Sequence, residues 1–109
     1  MKVLNITDKK LDEIINILLP AFKPTQIFLF GSRSRGEARE DSDYDIFFIV
    51  KNSTLTPIRR MQRASTLLWG IGVKVDVFIY TEQEYMDWKD EFSSIPHTIA
   101  TEGLELRVG

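Results

Sequence analysis

Between Thr7 and Leu19, apolar Leu11, Ile14, Ile15, Leu18 and Leu19 recur at the spacing of one helical face, behind a Thr7 able to cap the first turn. The pattern predicts an amphipathic helix, with Pro20 and Pro24 punctuating the segment after it. The next run, Gln26-Ile27-Phe28-Leu29-Phe30, is almost wholly apolar, as suits a strand covered on both faces. It ends at Gly31. Residues 31–42, GSRSRGEAREDS, contain nothing that could build a core and read as a loop. Residues 43–50, DYDIFFIV, read as a second buried strand whose opening residues are acidic although the rest is apolar.

Downstream, Thr56 and Pro57 form a cap and first-turn pair, and Ile58, Met61, Leu67 and Leu68 mark one face of a helix that Gly70 ends. In residues 73–80, VKVDVFIY, alternation sends Val73, Val75, Val77 and Ile79 to one side and Lys74, Asp76, Phe78 and Tyr80 to the other. Asp76 is then expected mid-strand. Thr81 and Glu84 make a capping box for a third helix reaching about Phe92, and Ser94-Ile95-Pro96 opens a fourth that Gly103 stops. The tail from Leu104 to Val108 alternates like an edge strand. No internal repeat, linker or low-complexity tract is visible.

A chain of 109 residues has room for one domain with a real core. Its 43% hydrophobic and 28% charged residues are ordinary for a folded soluble protein. A net charge of −2 argues against direct nucleic-acid binding, which usually needs a basic surface. With no cysteine there is neither a disulfide scaffold nor a thiolate zinc site, and a reducing cytoplasm fits. The first twenty residues have neither a signal-peptide core nor a membrane-length apolar run, so neither export nor membrane insertion is expected.

The mismatch inside DYDIFFIV carries the chemistry. Residues two apart on a strand share a face, so Asp43 and Asp45 project together with Cα atoms about 7 Å apart. Like charges so placed invite a cation, and hard oxygen ligands suit Mg²⁺ or Mn²⁺. Asp76, wrapped in valine and phenylalanine, is hard to justify as packing and fits a third ligand or a base. A short acidic pattern is also compatible with Asp43 capping the loop and Asp45 and Asp76 pairing with Arg35 or Lys74. Gly31-Ser32 after a buried strand could present amides and a hydroxyl to phosphate oxygens, or could be an ordinary turn. Together the two patterns set a phosphate cradle opposite a metal site.

The stretch GSRSRGEAREDSDYDIFFIV resembles the signature of the DNA polymerase β-like nucleotidyltransferase superfamily, and specifically its minimal nucleotidyltransferases from bacteria and archaea. The resemblance is strongest over residues 27–50 and continues through VKVDVFIY. It implies an α/β (α+β) fold, a small mixed β-sheet flanked by helices. It also implies that Gly31 and Ser32 hold a triphosphate, that Asp43 and Asp45 ligate two Mg²⁺ ions, and that Asp76 is the third carboxylate. Arg33 and Arg35 would neutralise phosphate charge, although Arg35 reads equally well as a solvated loop charge. The substrate would be ATP, with an acceptor hydroxyl attacking its α-phosphorus and pyrophosphate leaving.

Minimal nucleotidyltransferases are typically encoded beside a HEPN-domain protein, which makes a HEPN ribonuclease toxin the expected partner. The leading reading is an antitoxin that transfers AMP to a tyrosine of that toxin, with a stable toxin–antitoxin oligomer as an option. A second reading is a module that neutralises the toxin by masking it. A third is transfer to a small molecule such as an aminoglycoside, for which an added acceptor-binding domain would be expected. Arg59, Arg60 and Arg63 read as the wet face of their helix, His97 as structural, and Trp69, Tyr85, Trp88 and the phenylalanines as core.

Overall fold

A computed structural model describes residues 3–5, 8–31 and 43–107. Strands β1 (Val3–Asn5), β2 (Gln26–Phe30), β3 (Tyr44–Val50), β4 (Val75–Thr81) and β5 (Leu104–Arg107) form one mixed sheet in the order β1-β5-β2-β3-β4. The helices are α1 (Lys9–Phe22), α2 (Pro57–Leu67), α3 (Glu82–Trp88) and α4 (Ile95–Glu102).

Strand β3 pairs antiparallel with β2 and parallel with β4, and its residues from Ile46 to Val50 are all buried. Alternation divides them between two cores. Tyr44, Ile46, Phe48 and Val50 pack with Leu11, Ile14, Ile15 and Leu18 of α1 and Ala64 of α2. Phe47 and Ile49 pack on the opposite face with Phe28, Ile99 of α4 and Tyr85 of α3. The sheet is thus a middle layer between α1 and α2 on one side and α3 and α4 on the other. A strand covered on both faces has no solvent side to keep polar, which is why β3 reads as a continuous apolar run.

Several elements differ from the sequence-based expectation. The cap of α1 is Asp8, whose Oδ1 accepts the backbone N–H of Lys10 at 2.9 Å and of Leu11 at 3.1 Å; Thr7 lies outside the described residues. Helix α1 also continues through Pro20 to Phe22. A proline so near the helix end forfeits little, and Phe22, edge-on to Phe48 with centroids 6.3 Å apart, holds the last turn on the core. Helix α3 stops at Trp88 rather than Phe92, because Ser94 Oγ donates to the Trp88 carbonyl at 2.8 Å and the chain turns back. His97 Nδ1 lies 3.0 Å from the Lys89 carbonyl, so this residue is structural as expected.

Strand β4 starts at Val75, so Asp76 is its second residue and not mid-strand. Strand β5 is interior: β1, too short to leave a pattern in the sequence, adds to it in parallel and takes the edge. Trp69, 91% exposed, and Phe92, 85% exposed, are not core residues. No helix among the described residues is long and apolar enough to cross a membrane.

Helix α2 keeps its Thr56 cap but turns a different face inward. Ile58 and Leu67 are exposed, and the buried stripe is Arg60, Ala64 and Leu68 at i, i+4 and i+8. Arg60, expected in solvent, is only 3% exposed. Its Nη1 donates to Glu84 Oε1 at 2.7 Å and to the Ile79 carbonyl at 3.0 Å, and its Nη2 donates to Glu84 Oε2 at 3.3 Å. Glu84 is also the capping-box glutamate of α3, accepting from Thr81 N–H at 2.8 Å. One carboxylate therefore joins α2, the end of β4 and the start of α3, and makes the burial of Arg60 tolerable.

Glu84→Gln leaves that guanidinium without its counter-charge. Because Glu84 itself is 32% exposed, the expected loss is about 2–4 kcal/mol, below the full cost of breaking a buried pair. A thermal melt should register it as a fall of roughly 10 °C or more. Arg60 holds the Glu84 carboxyl below its ordinary 4.5. This stabilisation is therefore present above that pH and lost as the pH falls through the depressed value. The acid limb of a Tm–pH curve should be shallower in Glu84→Gln than in wild type.

Candidate active site

The C-terminal end of β2 and the N-terminal ends of β3 and β4 meet at one end of the sheet. In the strand register Asp45 stands between Phe30 of β2 and Asp76 of β4. Paired residues on neighbouring strands project to the same face, so the two carboxylates are immediate neighbours. Their face is the one that carries Phe47, Phe78 and Tyr80 further along. At this end the apolar layer gives out, leaving Asp45 and Asp76 partly exposed.

Electrostatics follow from that placement. Burial first, then the charge of Asp76, then that of Asp43 push the Asp45 carboxyl above its ordinary 3.8. A hydrogen bond to Asp76 acts in the same direction, and Lys74 opposes them. Asp43, two residues away on the same face, has its Oδ2 3.4 Å from Lys74 Nζ. Both side chains are well exposed. Such a pair is weak and readily exchanged for another cation.

Gly31, directly after β2, has φ +74. A Cβ built on it would overlap Asp45 Oδ2. Glycine is required there twice over, by its left-handed backbone and by the closeness of that backbone to the carboxylate. Ser32 and Arg33, the rest of the expected phosphate cradle, lie outside the described residues, as does Arg35.

Among the described residues no group of three or more His, Cys, Asp or Glu stands close enough, as arranged, to hold a metal ion. Asp43 faces Lys74, and Asp45 and Asp76 stand side by side in the strand register. The donors nonetheless suit Mg²⁺ or Mn²⁺ in kind, being hard carboxylate oxygens on a pair whose repulsion a proton or a cation must relieve. Asp45, Asp76 and Gly31 thus adjoin one another, and Asp43, two residues before Asp45, is turned to Lys74. Lys74 belongs to Asp43, whereas from sequence it was an alternative partner for Asp45 or Asp76.

Residues 12–93 match the family model described as polymerase beta, nucleotidyltransferase. A crystal structure from Sulfolobus solfataricus, described provisionally as a nucleotidyltransferase, is similar at 31% identity and TM-score 0.57, over 75% of this chain and 73% of that one. A chain of a toxin–antitoxin crystal structure with AMP-PNP is similar at 26% identity and TM-score 0.57, over 86% of this chain and 70% of that one. No curated protein matches significantly.

Because its pKa is raised in the fold, Asp45 stabilises the metal-free domain below its ordinary 3.8, and this stability is lost as the pH rises through the shifted value. Asp45→Asn should therefore raise the Tm of metal-free protein at pH 7 and flatten its pH dependence. It should also abolish any stabilisation by Mg²⁺. A lower Tm would mean that the carboxylate serves the fold instead. Gly31→Ala should cost about 1–2 kcal/mol from its backbone alone, measurable by urea unfolding.

Proposed function

Since the chain belongs to the polymerase beta nucleotidyltransferase family, we propose that it is a Mg²⁺-dependent nucleotidyltransferase antitoxin, transferring AMP from ATP to a tyrosine hydroxyl of a cognate HEPN ribonuclease toxin. The observation that carries the reading is the pairing of Asp45 with Asp76 beside the close-approaching backbone of Gly31. Similarity to a chain of a toxin–antitoxin complex with AMP-PNP supports both the nucleotide and the kind of partner.

Asp43, Asp45 and Asp76 would hold two Mg²⁺ ions, which supply charge neutralisation at the phosphates and a lowered pKa at the acceptor hydroxyl. Gly31, with Ser32 and Arg33, binds and orients the triphosphate so that the hydroxyl lies in line with the leaving group. The acceptor oxygen forms a bond to the α-phosphorus, the bond from that phosphorus to the bridging oxygen breaks, and pyrophosphate departs. Asp76, beside the ion that would activate the hydroxyl, is the carboxylate placed to accept its proton. Lys74, paired with Asp43 at 3.4 Å, would have to yield that carboxylate to an incoming ion.

A masking antitoxin is the second reading, and similarity to a chain of a toxin–antitoxin complex favours it as much as the first. The two are separated by incubating the protein with α-labelled ATP, Mg²⁺ and the product of the gene adjacent to its own. Label on the partner with wild type and at least a hundredfold less with the Asp43→Asn, Asp45→Asn double variant is the expected result. Tight complex formation with no label from either protein would establish masking.

A further inference from the structure

At the far end of β3 an open cavity of about 390 Å³ lies between the end of α1, the loop after β3, and α2. Its size falls within the roughly 300–1,000 Å³ of small-molecule sites. Asn52, Ser53, Thr54, Arg60 and Arg63 form its polar wall, Phe22 is among its apolar residues, and no aspartate or glutamate lines it. From Asp45 to Val50 is five residues of strand, about 17 Å, so this cavity is separate from the carboxylate site.

Arg60 is the informative residue. Its Nη atoms are engaged by Glu84 and Ile79. Its Nε is buried and donates to nothing, the only such side-chain atom among the described residues. An orphaned buried donor costs about 1–3 kcal/mol, a cost that a hydrogen-bond acceptor entering the cavity would remove. Glu84 balances the charge of Arg60, and exposed Arg63 has no ion pair among the described residues, so the cavity is left positive. Asn52 and Thr54 are exposed, and their side chains make no hydrogen bond to another described residue, which leaves both free to donate to a ligand.

We propose that this cavity binds a small phosphate-bearing anion, with Asn52, Thr54, Arg63 and the unpartnered Nε of Arg60 donating to its oxygens. Donors on two separate segments suit the several oxygens of a phosphate better than the two of a carboxylate. The site makes no use of Asp43, Asp45 or Asp76 and stands whether or not the antitoxin reading does.

Inorganic phosphate, AMP and, as a control, acetate are titrated separately into the ¹⁵N-labelled full chain, followed by amide NMR. The Asp43→Asn, Asp45→Asn double variant is titrated in parallel. Saturable shifts at residues 52–55, 60 and 63 with phosphate and AMP, absent with acetate and retained in the double variant, are expected. Arg63→Ala, at an exposed position, should weaken binding about tenfold. AMP binding well above phosphate would assign the apolar wall to a nucleoside, and equal affinities would make the phosphate group the whole ligand. No saturable shift at these amides, or unchanged affinity in both Arg63→Ala and Thr54→Ala, would overturn the proposal.

Discussion

The parallel register of β3 with β4 sets Asp45 against Asp76, and two neighbouring carboxylates on a partly covered sheet face are unfavourable without a proton or a cation. The surrounding structure maintains this placement rather than relieving it. Phe47, Phe48 and Ile49 bury β3 on both faces, so the register cannot slip by one residue without turning those side chains out of their cores. The packing that stabilises the domain thereby fixes a locally costly arrangement at the end of the same strand. A strained constellation held by a rigid frame is what a functional site looks like energetically.

Division of labour along β3 and β4 follows from this. Their N-terminal ends carry acid, the middle carries the apolar core, and beyond their C-terminal ends lies the Arg60–Glu84 junction with its positive cavity. Gly31 links the first region to β2, and its missing Cβ lets backbone, not side chain, approach Asp45. The Lys74–Asp43 pair supplies a local counter-charge while remaining exposed enough to exchange. Under the proposed function this arrangement handles phosphate charge, while membership of the nucleotidyltransferase family does not by itself specify the acceptor.

Elements whose signal is local were legible in the sequence. The Thr56-Pro57 start, the Thr81–Glu84 capping box, the Ser94 cap and the apolar runs of β2 and β3 each depend on residues within one turn or one strand. The candidate acidic residues were legible for the same reason: a charge at the head of an apolar strand conflicts with its neighbours wherever the strand ends up. Where a partner distant in sequence decided, reading failed. Arg60 looked like a solvated arginine because its carboxylate is twenty-four residues away. Residues 3–5 carry no strand pattern and become one only by pairing with β5 at the far end of the chain.

By itself, the sequence determined that there is a buried strand headed by two acids, a glycine that ends the strand before it, and a third acid among valines, because residue type and alternation are properties of the chain. Tertiary structure alone decided that Asp76 stands beside Asp45, that Lys74 answers Asp43, that α2 turns Arg60 inward and that β5 is covered by β1. Strand order, register and helix rotation are chosen by long-range packing, where many apolar contacts outweigh the local preference of any one residue.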